Sequence, residues 1–332
     1  MQAVIEAVDC AVPARRMPNQ EFTTFLETSD EWIYSHTGIR NRHIADPDQA
    51  TSDLAYEASR KALEKAGLPA EELDLVIVAT ATGDYPGFPS VACIVQDRLG
   101  AKRAGAFDLT AGCTGFIYGL ETARAFLQSG AARHVLVVGA EILSRIVNWQ
   151  DRNTCPLFGD GAGAAVLSAV DGPADRGAAR GVLTSMLRSD GSGAPLLQRG
   201  MGGTRNPFTA ENYDPLGSCL KMEGRPVYNF AVKAIAEGIP QLMSSAGVCL
   251  EQVAWIVPHQ ANARIIEAAA KRSGIPLAKF FLNIEEYANT SAASIPIAMT
   301  EMESRDLLHA GDLVVTFGFG AGLTWGGNVL RW

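Results

Sequence analysis

Ala66-Gly-Leu-Pro-Ala-Glu-Glu-Leu-Asp-Leu-Val-Ile-Val-Ala79 lies without a gap on Ala246-Gly-Val-Cys-Leu-Glu-Gln-Val-Ala-Trp-Ile-Val-Pro-His259, at an offset of 180 residues. Each copy reads as a helix closed by Ala-Gly, because glycine takes the left-handed conformation that ends a helix. A short apolar run then follows, as expected of a strand buried on both faces. Farther along, His134-Val-Leu-Val-Val-Gly139 matches Leu313-Val-Val-Thr-Phe-Gly318 at an offset of 179. Two separate matches at almost the same spacing indicate an internal duplication. A third, Phe158-Gly-Asp-Gly-Ala-Gly163 on Phe317-Gly-Phe-Gly-Ala-Gly322, has an offset of 159, which places 20 additional residues in the first half. Asn148, Trp149, Arg152 and Cys155 fall among them.

Helical periodicity marks Asp53 to Ala66, Phe116 to Ser129, Tyr228 to Ser245, Ala261 to Ser273 and Ser294 to Leu308. These segments alternate with Val/Ile/Leu runs, which predicts an α/β fold of two layered halves. The turn-rich link Asp171-Gly-Pro-Ala-Asp-Arg-Gly177 sets the boundary, giving residues 1–172 and 173–332. Residues 189–226 are rich in Gly and Pro with little periodicity. We expect a loop there, acting as a mobile cap, since loops of such length in compact domains are commonly functional.

Composition narrows the function classes. With 47% hydrophobic and 19% charged residues, the 332-residue chain has the make-up of a globular enzyme. A net charge of −8 argues against nucleic-acid binding. No apolar run approaches the ~20 residues of a membrane span, and the amino terminus lacks the basic segment of a signal peptide, so a cytoplasmic location is expected. The six cysteines contain no C-x-x-C pair, and the five histidines show no H-E-x-x-H pattern. Neither a disulfide framework nor a metal site is expected.

Cys113 stands in Asp108-Leu-Thr-Ala-Gly-Cys-Thr-Gly-Phe116, at the start of a predicted helix. Unpaired N–H groups and positive partial charge at a helix start favour a thiolate and can hold an oxyanion. The structural alternative is an inert core cysteine. Its counterpart in the duplication falls near residue 293, close to Asn289, and His259 ends the repeated strand. Cys113, His259 and Asn289 therefore occupy related strand-to-helix transitions that can converge on one cleft. A structural histidine and a turn or N-cap asparagine remain alternatives, and the same three residue types also serve cysteine hydrolases.

Several motifs together resemble the β-ketoacyl-[acyl-carrier-protein] synthase III family of the thiolase superfamily. They are Asp30-Glu-Trp-Ile33, Thr37-Gly-Ile-Arg40, Ala111-Gly-Cys-Thr-Gly-Phe116, Phe158-Gly-Asp-Gly-Ala-Gly-Ala164, Val257-Pro-His-Gln-Ala-Asn262, Asn289-Thr-Ser-Ala-Ala-Ser294 and Gly322-Leu-Thr-Trp-Gly326. The resemblance spans essentially the whole chain. It implies a thiolase-like duplicated fold in five αβαβα layers and a homodimer. The implied reaction is decarboxylating condensation of an acyl-CoA primer with malonyl-[acyl-carrier protein], initiating fatty acid biosynthesis through an acyl-cysteine. The triad Cys113, His259 and Asn289 would be catalytic, with the oxyanion hole at the N–H groups of Cys113 and Ala321. Trp32, Arg152 and Asn262 would bind coenzyme A, Phe88 and Phe319 would border the acyl pocket, and Arg264, Lys271 and Arg272 would dock the acidic carrier protein. No cofactor beyond the thioester substrate is implied. His36, Ala321 and Leu323 depart from the residues expected in many relatives. A related condensing enzyme of secondary metabolism, a cysteine acyl-CoA thioesterase and an idle acyl-CoA-binding protein are the alternatives.

Overall fold

A computed structural model describes residues 1–171 and 181–332. The first sheet contains β1 (Gln2–Ala11), β2 (Leu75–Ala79), β3 (Gly105–Leu109), β4 (His134–Glu141) and β5 (Gly161–Val170) in the order β1-β5-β4-β2-β3. After β6 (Gly181–Ser189), a small hairpin pairs β7 (Leu197–Arg199) with β8 (Leu220–Met222). The second sheet joins β6 to β9 (Val253–Pro258), β10 (Leu313–Gly320) and β11 (Thr324–Arg331) in the order β6-β11-β10-β9. β6, β11, β10 and β9 thus repeat the order of β1, β5, β4 and β2. The parallel pairs β2/β4 and β9/β10 match as well. Where the first sheet adds β3, the second has an isolated bridge between Ile256 and Phe280.

Alternation along the strands builds the layers, because successive side chains point to opposite faces. In β2, Leu75 and Ile77 face a central core, whereas Val76 and Val78 face the outside of the sheet. The central core holds two helices, α4 (Gly115–Gln128) and α7 (Ser294–Ser304), which present Ile117, Leu120, Ile295 and Met299 to strands of both sheets. Helices α2 (Thr51–Ala66) and α3 (Val91–Leu99) cover the first sheet, and α5 (Gly224–Ala246) and α6 (Ala263–Ser273) cover the second. The result is five layers, αβαβα, of the thiolase-like kind. Burial of each large aliphatic side chain contributes about 1.5–3 kcal/mol, so the shared central core is a main source of cohesion between the sheets. A further helix, α1 (Asp30–Thr37), begins at Ser29, whose side chain accepts from Trp32 N.

Three expectations change. The segment 189–226 is not an unstructured loop: it contains a 3-10 turn at Gly191–Leu196, the β7/β8 hairpin and the first residues of α5. Its turn residues concealed strands too short to show periodicity. The third sequence match does not join equivalent positions, since Phe158–Gly163 enters β5 whereas Phe317–Gly322 leaves β10. The first half is nevertheless longer at this point, with residues 142–160 linking β4 to β5 and 321–323 linking β10 to β11. Finally, Cys113 belongs to a 3-10 turn, Gly112–Thr114, just ahead of α4 rather than to its first turn. The proposed link after Asp171 lies outside the described residues.

Candidate active site

The chain leaves β3 and makes the Gly112–Thr114 turn against the end of β10. Gly112 has φ +52, a conformation that favours glycine. A Cβ on Gly320 would stand 2.8 Å from Cys113 N, so this strand end must be bare for the turn to approach it. The hydroxyls of Thr114 and Thr324 lie 2.9 Å apart, and both donate to Ala111 O, at 2.7 and 3.1 Å. These contacts bring the main chain of Cys113 beside that of Ala321, and both residues line one cleft. Burial pushes the Cys113 thiol up to about 11, against a lowering hydrogen bond from Ser291 and with the nearby Glu141 charge raising it further. The expected thiolate is therefore a thiol at rest: the helix-start field, typically 0.3–1 kcal/mol and at most ~2, is outweighed by desolvation.

His259 follows β9 and is 1% exposed. Its N–H donates to Phe317 O at 2.7 Å, and its Nδ1 lies 2.7 Å from Ser294 Oγ. Ser294 Oγ accepts from Gln260 N at 3.4 Å, leaving its own proton for Nδ1. That assignment puts the imidazole proton on Nε2, the remaining nitrogen of a ring that lines the cleft. Burial drives the His259 pKa down to about 3, so the ring is neutral.

Asn289 is tied to the long first-half connection on both sides. Its N–H donates to Leu157 O at 2.9 Å, and its carbonyl accepts from Gly159 N at 3.0 Å. Its Oδ1 accepts from Ser291 N at 2.8 Å, which identifies Nδ2 as the free donor end of the amide. Ala288 and Ser291 flank it at φ 54 and φ 50. Two non-glycine residues in this region mark a backbone held by its surroundings.

Cys113, His259, Asn289, Phe319 and Ala321 share a cleft of about 500 Å³ with Trp32, His36 and Arg152. The Arg152 guanidinium sits 4.7 Å from the Trp32 ring centroid, while His36 stacks on that ring at 4.5 Å. Asn262 lines the same cleft, but its amide caps α6 through Arg264 N and donates to His36 O at 3.1 Å. Leu323 is buried against Gly193. Phe88 is not brought to the cleft: it is 85% exposed and absent from the lining. Arg264 and Lys271 line a separate groove of about 630 Å³ with Tyr34, Tyr228 and Glu267, and Arg272 pairs with Glu237 at 2.9 Å. Among the described residues, no cluster of three or more His, Cys, Asp or Glu could hold a metal, and no helix is long and apolar enough to cross a membrane.

Comparison with known proteins agrees with this construction. Residues 107–191 match the family described as 3-oxoacyl-[acyl-carrier-protein (ACP)] synthase III, and residues 243–332 match its C-terminal part. A β-ketoacyl-[acyl-carrier-protein] synthase III from Caldanaerobacter subterraneus subsp. tengcongensis is 48% identical over 97% of this chain and 95% of its own. The chain belongs to the synthase III family. Family likeness extends to solved structures: the Aquifex aeolicus synthase III has a TM-score of 0.89 at 41% identity, covering 99% of this chain and 100% of that one. The Thermus thermophilus synthase III has a TM-score of 0.90 at 42% identity, covering 99% of both chains. As a member of the synthase III family, the protein is an acyl-transferring, condensing enzyme.

Sequence reasoning missed the hairpin contribution of Leu197, Leu220 and Met222 to the cleft. It also missed Glu141 and Ser291. A signal existed for Glu141, since a carboxylate closing an otherwise apolar strand is costly unless buried polar partners await it.

Proposed function

We propose that the protein condenses an acyl-CoA primer with malonyl-[acyl-carrier protein], releasing carbon dioxide and a 3-oxoacyl-[acyl-carrier protein] at the start of fatty acid biosynthesis. The observation that carries this reading is the orientation of three side chains in one cleft. Cys113 presents a thiol, whereas His259 and Asn289 have their inner polar atoms occupied and their donor ends free.

The Cys113 sulfur attacks the primer thioester and coenzyme A departs, leaving an acyl-cysteine. The adjacent N–H groups of Cys113 and Ala321 hold the oxyanion formed in this step. Malonyl thioester then enters, and its carbonyl oxygen accepts from His259 Nε2–H and Asn289 Nδ2–H. Charge builds on that oxygen as carbon dioxide leaves, and two fixed neutral donors in a water-poor cleft stabilise it. The resulting carbanion attacks the acyl-cysteine and frees the thiol. A neutral His259 fits this donor role, because the ring needs no change of charge.

The stacked His36, Trp32 and Arg152 form the coenzyme A end of the cleft, with Asn262 beside the pantetheine arm. Phe319 borders the acyl group. Arg264, Lys271 and Arg272 meet the acidic carrier protein on α6. The protein acts as a homodimer, in which a second copy would cover the exposed Phe88. The reaction requires neither metal nor redox group and fits a cytoplasmic location.

A panel of acyl-CoAs incubated with malonyl-carrier protein, with products identified by mass, tests the reading. The 3-oxoacyl-carrier protein is expected with the intact protein. In Cys113→Ala the acyl-enzyme mass shift should vanish and condensation should fall on the order of 10⁴–10⁶-fold, the scale of losing a catalytic nucleophile. Release of free acid from acyl-CoA without carbon dioxide would favour a thioesterase instead.

A further inference from the structure

β4 is apolar from Val135 to Ala140 and ends on Glu141, which is fully buried. Its carboxylate accepts from Ala81 N at 3.2 Å, from Thr80 Oγ1 at 3.4 Å, from Thr82 Oγ1, and from Ser291 Oγ at 3.0 Å. Thr80 Oγ1 itself accepts from Thr82 N and Thr82 Oγ1 from Ile142 N, so both hydroxyl protons are left for Glu141. None of these partners is a cation, and a buried acid held by neutral donors alone is costly to keep. Three of the four partners come from the first half of the chain. The fourth, Ser291, comes from the second.

Ser291 opens the 3-10 turn Ser291–Ala293 at φ 50, a conformation that a residue with a side chain keeps only when its surroundings impose it. Its N–H donates to Asn289 Oδ1 at 2.8 Å, so the plane of the Asn289 amide, and with it the direction of Nδ2, follows the conformation of Ser291. Thr290 supplies no anchor, since its buried hydroxyl finds no hydrogen-bond partner among the described residues. The end of β4 supports the turn at two points. Gly139 lies bare beneath Ala292, whose carbonyl oxygen would stand 2.2 Å from a Cβ there, and two residues on Glu141 takes the Ser291 hydroxyl.

We propose that Glu141 is a positioning residue for the decarboxylating half-reaction: acting through Ser291, it fixes the Asn289 amide so that Nδ2–H points at the malonyl carbonyl oxygen. This rests on the donor role given to Asn289 above. Glu141 is not among the residues that line the cleft and moves no proton; it holds the residue that holds the donor. A carboxylate suits the task because it only accepts, and every group facing it is a donor. The Ser291 hydroxyl is thereby turned toward β4, and the substrate oxygen is left to the fixed amide. A glutamine at 141 fills the same space but must set its own N–H donors against donors, so it breaks the tie.

Enzyme loaded with acetyl-CoA and then mixed with malonyl-carrier protein tests the inference, with intact mass following the loading and carbon dioxide release the second step. Glu141→Gln should slow carbon dioxide release roughly 10- to 10²-fold, the scale of loss when a positioned group is displaced by about 1 Å. The loss should fall on kcat with little change in KM for malonyl-carrier protein, as for an interaction made in the transition state. Loading should not slow, because the Glu141 charge raises the Cys113 thiol and its removal acts the other way. Ser291→Ala cuts the same tie and should match the loss of carbon dioxide release, which decides the matter if Glu141→Gln does not fold. In an Asn289→Ala background either change should cost less than about twofold more, since the side chain they position is gone. Equal slowing of loading and decarboxylation in Glu141→Gln, a loss in Ser291→Ala that Glu141→Gln does not share, or an undiminished loss in the Asn289→Ala background overturns the inference. An Asn289→Ala protein that releases carbon dioxide at the intact rate instead removes the donor reading on which it depends.

Discussion

Glu141 and Gly320 occupy equivalent places, each the last residue of the middle strand of its half, 179 residues apart. Each strand end abuts the 3-10 turn ahead of the opposite half's central helix: Glu141 meets Ser291, and Gly320 meets Cys113. One position carries an acid and the other no side chain at all. Cys113 takes the space that a side chain on Gly320 would fill, while the corresponding space across the duplication is filled by a carboxylate. The two strand-to-strand connections differ in the same manner. Residues 142–160 form cleft wall and brace Asn289, whereas 321–323 form a tight turn that places Ala321 beside Cys113. The duplication provides a symmetric frame, and the candidate site occupies the departures from it.

The sharpest way to test that division is to remove the second-half donors from an intact first-half nucleophile. His259→Ala and Asn289→Ala should each still acquire the acyl mass shift yet lose condensation by roughly 10²–10³-fold, about 2.7–4 kcal/mol, as when one oxyanion donor is deleted. Carbon dioxide release measures the lost step. If His259→Ala fails to acylate but decarboxylates normally, His259 serves the thiol and the division between halves is wrong.

Gly320→Ala tests the bare strand end with a single methyl group. Its Cβ would meet Cys113 N at 2.8 Å and Cys113 Cβ at 2.9 Å. Shifting that backbone should cost about 1–3 kcal/mol, in the range of overpacking, and should slow both half-reactions. Thermal unfolding together with acylation rate checks both effects, and a variant with native Tm and rate would show that the approach is not tight.

The smallest effect is expected at the surface. Charge reversal at Arg264, Lys271 and Arg272 should raise the KM for malonyl-carrier protein several-fold and leave acylation by acyl-CoA unchanged. Added salt should shrink the difference, because exposed charges are screened over roughly 10 Å at 0.1 M. Titration of KM against salt separates this from a folding defect, and an unchanged KM removes the patch.

Much of the frame is legible in the chain because buried parallel strands read as continuous apolar runs. The matched segments 66–79 and 246–259 each lead through a helix end into β2 and β9. Cys113, His259 and Asn289 are legible as motif residues, and the fold brings all three to one cleft. What stays hidden depends on distant backbones meeting. Glu141 acquires its partner 150 residues away, and nothing local to either residue announces the contact. Phe88 fails as a cleft residue because a motif position does not say where the fold carries a side chain, and the fold leaves this one 85% exposed. The thiol's protonation escaped for a reason of magnitude: the sequence locates the helix start, but only the packed structure reveals the stronger desolvation.

That protonated thiol has a consequence for durability. Peroxide and adventitious electrophiles attack the thiolate, and the oxidation ladder from sulfenic to sulfonic acid begins there. A Cys113 held near 11 presents almost none of that form at neutral pH. The resting Cys113 thiol is thereby shielded from chemical ageing for as long as burial keeps it protonated.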